Sequence, residues 1–181
     1  MKLTELKEWT DVLTPIAGAV AIAVGGVFAM VQYLDKKHDD RVKETLAFFD
    51  RYNSNHVLEA RTVLVSAWLR HAAEYEQVIG SADKYYAFTR RVIHDENLRR
   101  EVAVINDFFA ALDICARNKI CECEVALLLF QPDARSYYGY HYSFIAAERS
   151  RAKDDSIGAG LESFAKIGRG KPAGSSPDCT D

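Results

Sequence analysis

No alternating run of Val, Ile and Thr occurs in this chain, which removes a β-sheet as its organising element. Cysteine is too sparse for a small disulfide scaffold: Cys115, Cys121, Cys123 and Cys179 are the only four in 181 residues. No Asn-x-Ser/Thr glycosylation site is present, and both facts fit a cytoplasmic main domain. Charge of one sign is lacking too. A net charge of −3 excludes a strongly basic nucleic-acid binder and an acidic disordered chain. Catalytic signatures are missing as well: there is no Gly-x-Ser-x-Gly and no His-Glu-x-x-His.

What the chain does have is one long uncharged run, Leu13 to Leu34, of 22 residues. At about 1.5 Å per residue such a helix spans a hydrocarbon core of roughly 30 Å. The run is too long for a signal-peptide core, and Glu5, Glu8 and Asp11 precede it where a basic stretch is required. Thr14 suits a helix cap and Pro15 a first helical position. Trp9 and Tyr33 suit the two lipid–water boundaries. Residues 1–12 repeat apolar side chains at Leu3, Leu6, Trp9 and Leu13 and read as an interfacial segment. Lys36, Lys37, Arg41 and Lys43 follow the run, whereas only Lys2 and Lys7 precede it. The positive-inside rule then predicts an inner-membrane protein with its N-terminus outside and its C-terminal domain in the cytoplasm. Within the run, Ala17, Ala21, Gly25 and Ala29 recur every four residues and form a candidate helix-association face.

Beyond the membrane the pattern is helical throughout. The first helix is expected to leave the bilayer as a stalk and to break at Asn53, Ser54 and Asn55. A second helix, 55–79, carries Leu58, Val65, Leu69, Ala72, Tyr75 and Ile79 on one face, read as inward. Gly80 and Ser81 mark a stop and a new cap. Tyr85, Phe88 and Val92 face inward on the helix that follows. Asp95 caps a central helix, 96–118, with the stripe Leu98, Val102, Ile105, Phe109 and Leu112. A short helix from Cys121 to Phe130 is expected to end at Gln131–Pro132, and a last one to carry Tyr137, Tyr138, His141, Phe144 and Ile145. The fold class is thus all-α: a transmembrane helix (13–34), a small helical bundle (35–152) and a flexible tail (153–181) in which Leu161, Phe164 and Ile167 make a brief amphipathic turn.

Candidate sites are few. Gly168-Arg-Gly-Lys171 fails as a phosphate loop, because Ala165 and Pro172 stand where that motif needs Gly and Ser or Thr. His56-x-x-Glu59 and His71-x-x-Glu74 lie fifteen residues apart on one helix and cannot share a metal. Cys121-x-Cys123 has neither the spacing nor the second element of a zinc site. His94 with Asp107 or Asp113 is possible as an acid–base pair by arithmetic alone. Arg90-Arg91, Arg99-Arg100 and Arg149-x-Arg151 have acidic neighbours and read as solvated faces. No catalytic residue, metal ligand or cofactor is assigned. The most unusual composition is Tyr137-Tyr138-Gly139-Tyr140-His141-Tyr142. On a helix it covers every side, so part must pack inward, while Tyr137, Tyr138, Tyr140, His141 and Tyr142 form a candidate partner surface.

The segment Val104-Ile-Asn-Asp-Phe-Phe109, the turn Ile114 to Ile120, the short helix Cys121 to Phe130 and the Tyr/His-rich helix after it resemble a bacterial family of unknown function. Its members have one N-terminal membrane helix and a small cytoplasmic helical domain. The resemblance covers roughly residues 13–152; Cys121-Glu-Cys-Glu124 departs from it. It implies architecture and location, and no activity. The expectation is a single-pass protein whose partners are the lipid bilayer, another copy of itself or an unknown protein, with nucleic acid disfavoured. The alternatives are a membrane-disrupting or pore-forming effector and a cryptic ligand-binding or enzymatic helical domain.

Overall fold

A computed structural model describes residues 3–167, with side chains from Gly25 onward, and every regular element among them is a helix. Two compact units are present, residues 1–40 and 41–181. Helix α1 runs Leu3–Tyr52. Thr14 and Pro15 therefore fall inside it, and the interfacial segment expected over 1–12 is continuous with it from Leu3. Of the membrane run, residues 13–24 lie outside those with described side chains. Among the described residues no helix is long and apolar enough to cross a membrane.

The second unit contains the end of α1 and six further helices: α2 Asn55–Arg70, α3 Ala72–Val78, α4 Ala82–Asp95, α5 Arg99–Arg117, α6 Cys123–Ala152 and α7 Ala159–Lys166. The break at Asn53–Asn55 is present, with Ser54 in the extended N-cap conformation of α2. Ser81 likewise caps α4. The helix expected over 55–79 is two helices that meet at His71, whose backbone (φ −101°, ψ 13°) leaves the helical region.

Two chain reversals share one mechanism. Asn97 (φ 54°) and Lys119 (φ 56°) adopt left-handed backbone just past α4 and α5. In each, the next N–H reaches back five residues, Leu98 to the Ile93 carbonyl and Ile120 to that of Cys115. These bonds satisfy carbonyls that a helix end leaves open, and they aim α5 and α6 back across the bundle. The α5–α6 reversal is also locked covalently: Cys115 and Cys121 form a disulfide with Cα atoms 5.2 Å apart. Cys123 is disulfide-bonded as well.

The core follows the α5 stripe. Leu98, Val102, Ile105, Phe109 and Leu112 are all buried, as their spacing predicts. Phe108, Phe109 and Phe130 gather around Tyr52 at the end of α1, with ring centroids 4.9–6.4 Å from it. Thr45 ties the same end of α1 to the start of α6: its hydroxyl accepts the Glu122 N–H at 2.8 Å and donates to the Arg41 carbonyl at 2.9 Å.

Asp95 is the last residue of α4 rather than the cap of the central helix, whose N-cap is Leu98. Two further sequence expectations are corrected. The first is the stop at Gln131–Pro132: α6 runs unbroken through Pro132 and is 30 residues long in all. Proline removes the N–H that would bond the Leu128 carbonyl, at an ordinary interior cost of about 3 kcal/mol. Leu128 and Pro132 are both exposed, so water can serve that carbonyl, while Phe130 and Ala134 on the opposite side are fully buried. The second is the tail expected from 153. Up to Lys166 it includes α7, whose Leu161, Phe164 and Ala165 are buried. Side chains of α6 satisfy the end of α7, with Gln131 donating to the Ile167 carbonyl at 2.6 Å and Arg135 to that of Ala165 at 3.3 Å. Residues 168–181, which include Gly168-Arg-Gly-Lys171, lie outside the described residues.

The contact of α7 with α5 depends on Gly160, where a Cβ would meet the Ala110 Cα at 2.4 Å and its N at 3.0 Å. Neither backbone atom can rotate away. Gly160→Ala should therefore lower unfolding stability by about 1–3 kcal/mol, as overpacking does. Urea denaturation checks this, and an unchanged midpoint would show that α7 does not pack there.

Candidate functional site

Helix α2 has two apolar faces, and the structure buries the one that sequence spacing did not favour. Val57, Ala60, Leu64 and Ala67 are buried, where the small alanines let α2 lie close against α5. The stripe expected to face inward is instead turned outward: Leu58, Val65 and Leu69 are 44%, 51% and 70% exposed. Both sets repeat at helical spacing, so periodicity alone could not rank them.

Beside this outward stripe lies a cleft of about 430 Å³ between α2–α3 and α6. Trp68 and Tyr75 line it from one side, Tyr137, Tyr140 and His141 from the other. Trp68 stacks on Tyr140 with centroids 5.5 Å apart and planes at 29°. Tyr75 lies 6.1 Å from the same ring. Cleft volumes of roughly 300–1,000 Å³ with mostly apolar and aromatic linings are typical of small-molecule sites.

The lining's two ionic residues are committed to each other. Arg61 lies 3.7 Å from the Asp133 carboxylate, which also accepts the Tyr52 hydroxyl at 2.6 Å. The Arg61 guanidinium sits 3.9 Å above the Tyr52 ring. Burial pushes the Tyr137 phenol up, against the opposing pull of Arg61, so it stays protonated.

His141 is 1% exposed. Its Nδ1 lies 2.9 Å from the Tyr137 carbonyl, one turn earlier on α6. A carbonyl only accepts, so Nδ1 carries the proton and Nε2 carries the lone pair. That Nε2 is buried and has no hydrogen-bond partner, as is the indole N–H of Trp68, whose ring centroid lies 6.0 Å from that of His141.

The predicted Tyr/His surface is thus divided. Tyr137, Tyr140 and His141, three and four residues apart, share the cleft face. Tyr138 and Tyr142 lie one residue further round and pack on each other at 5.6 Å. Tyr138 is buried near α7, where the Lys166 ammonium lies 5.6 Å from its ring. Tyr142 is 39% exposed. On the association face, Ala17 and Ala21 lie outside the residues with described side chains, while Gly25 and Ala29 are exposed. Sequence reasoning missed Trp68, Arg61 and Asp133 altogether, since they join the site only when α2 and α6 come together.

The remaining candidates have other partners. His71 bonds Glu96, just past the end of α4, at 3.0 Å, and Glu96 also takes Arg70. These contacts hold the Glu96 carboxyl below the usual range, Arg70 contributing most. The His94 imidazole lies 3.1 Å from Asp95. Asp113 holds Arg117 at 2.9 Å and accepts the Ser163 hydroxyl at 3.0 Å. No group of three or more His, Cys, Asp or Glu able to hold a metal occurs among the described residues.

No protein-family model, curated protein or solved structure matches this chain.

Burial holds the His141 imidazole at about 4, below its ordinary 6.5, with the Tyr137 carbonyl opposing part of the shift. As the pH falls below 6.5 the unfolded chain takes up a proton that the folded chain does not. The stability from this residue is complete above pH 6.5 and is lost as the pH falls toward 4, at a cost of about 2–3 kcal/mol. Glu162 titrates lower: burial raises its carboxyl, but Lys166, Arg149 and Tyr138 outweigh that and hold it at about 2. Urea unfolding between pH 7.5 and 4.5 should show the His141 loss in the wild type and little of it in His141→Gln. Equal losses in both proteins would refute a buried neutral imidazole.

Proposed function

We propose that this chain is a single-pass membrane protein whose helical domain pairs with a second copy of itself. The observation that carries the pairing is the outward apolar stripe of α2, Leu58, Val65 and Leu69, continuous with an aromatic cleft. Patches of this kind mark interaction surfaces, with aromatic residues and Arg supplying most of the binding energy. A two-fold dimer uses the same patch on both copies, which suits one self-contained apolar stripe.

The tether is the run Leu13–Leu34. In support, Val27, Phe28, Met30, Val31 and Leu34 are all exposed on α1, and a broad uncovered apolar face of a helix calls for a lipid or protein covering. The face Ala17, Ala21, Gly25 and Ala29 supplies a second contact, since nothing lies within 4 Å of a Cβ placed at Gly25. Membrane tethering raises the effective concentration of the paired domains.

Full-length protein in detergent should be dimeric. Gly25→Leu should weaken association, and Val65→Glu with Leu69→Glu should abolish what remains, because exposed positions tolerate charge without unfolding. Light scattering reads the mass directly. A mass unchanged by either change would remove this reading.

Two signals oppose each other on which side the domain faces. Four basic residues after the run against two before it favour the cytoplasm. Disulfides favour the other face, because the cytosol keeps thiols reduced. Cys115, Cys121 and Cys123 are all disulfide-bonded, and this outweighs a difference of two basic residues. Denatured protein from freshly lysed cells should leave these thiols unlabelled by a maleimide polymer until a reductant is added. Full labelling without reductant would restore the cytoplasmic orientation.

A further inference from the structure

Two residues of the cleft lining carry a donor and an acceptor with no role in the fold. The Trp68 indole N–H and the His141 Nε2 lone pair are both buried and both lack a partner. Leaving such groups unpaired ordinarily costs about 1–3 kcal/mol each. Their rings belong to different helices, α2 and α6, and both line the same cleft with centroids 6.0 Å apart. Because Nδ1 faces the α6 backbone at the Tyr137 carbonyl, Nε2 lies on the opposite edge of the ring, away from that backbone.

One chemical group answers both atoms at once. A hydroxyl donates through its hydrogen and accepts through its oxygen. A carboxylate cannot donate to Nε2, and an ammonium cannot accept from the indole. The rest of the lining agrees with a neutral ligand, since Arg61 and Asp133 are paired with each other. Leu64, Val65, Tyr75, Tyr137 and Tyr140 provide apolar and aromatic walls for a ring. A space of about 430 Å³ admits one or two rings.

We propose that this cleft binds a neutral aromatic alcohol, its hydroxyl donating to His141 Nε2 and accepting from the Trp68 indole N–H. The site goes beyond the pairing of copies proposed above. It uses the floor of the cleft, which shares only Val65 and Leu69 at its rim with the outward stripe of α2. The same chemistry has two sources, a free phenol or a tyrosine side chain of another polypeptide.

The chain has two tryptophans, Trp9 and Trp68, so Trp9→Phe leaves Trp68 as the single indole. With the full-length Trp9→Phe protein in detergent, the Trp68 indole N–H resonance is followed by NMR during titration with p-cresol, toluene and N-acetyltyrosinamide. The expected result is a saturable shift with p-cresol and affinity about tenfold above that for toluene, the ring without the hydroxyl. His141→Phe should abolish that preference while toluene still binds. Should His141→Phe fail to fold, the cresol–toluene comparison on the Trp9→Phe protein decides alone. Binding of N-acetyltyrosinamide as well as p-cresol assigns a tyrosine side chain as a source; binding of p-cresol alone assigns a free phenol. Equal affinity for toluene and p-cresol, or no movement of the indole resonance with any probe, overturns the proposal. Repeating the titration on Leu58→Glu, which charges the outward stripe at a position outside the cleft lining, separates failure of this site from failure of the dimer.

Discussion

The packing of Tyr52, Phe108, Phe109 and Phe130 is the constraint on which the rest of the helical domain depends. These four rings bring the end of α1, the middle of α5 and the first half of α6 to one point. Aromatic pairs of this kind contribute about 0.5–1.5 kcal/mol each beyond the area they bury. Phe130 is fully buried two residues before Pro132. With its ring fixed there, and Ala134 buried one turn later, the chain gains more by continuing as a helix than by turning at the proline. The length of α6 follows, and with it the placement of Tyr137, Tyr140 and His141 on a single face one to three turns further along.

That continuous α6 organises both sides of the domain. Its cleft face meets α2 and α3, while its other side takes α7 through Gln131, Arg135 and Arg149. The Tyr52–Asp133–Arg61 network sits where the aromatic cluster meets the cleft, so the same groups that hold the fold also neutralise the lining. The floor of the cleft has the opposite character. Trp68 and His141 present polar atoms that the fold does not use. Structure and recognition are thereby separated within a single lining: paired charges on one part, unpaired neutral hydrogen-bonding atoms on another.

Much of the fold was legible in the sequence, in places for clear reasons. The α5 stripe is broad and strongly apolar, so its inward face was unambiguous. The Asn53–Ser54–Asn55 break rests on local hydrogen bonds, Asn53 donating to the Phe49 carbonyl and Ser54 to that of Arg51, while Ser81 starts α4 through its extended backbone alone. Elsewhere the local signal was real and lost to packing. Pro132 is a helix breaker whose cost is met by burial of Phe130 and Ala134. Glycine and serine after Asp154 suggested a tail, yet Gly160 is required by the close approach of α7 to Ala110. On α2 two apolar stripes compete at the same period. The smaller one, with Ala60 and Ala67, is buried because it allows the nearer approach to α5, and the larger is left outside. The site inherits that choice. Its tyrosines and histidine stood out as a composition, but Trp68, Arg61 and Asp133 gave no local sign of membership.

By itself, then, the sequence determined the all-helical class, the inward stripe of α5 and the main chain breaks. Each of these depends on neighbours within a few residues, where periodicity and capping act. Tertiary structure alone decided which face of α2 is buried, that α6 passes through its proline, that α7 belongs to the core, and that a donor on α2 and an acceptor on α6 share one cleft. Those outcomes depend on residues dozens of positions apart, and on the close packing that chooses between locally equivalent alternatives.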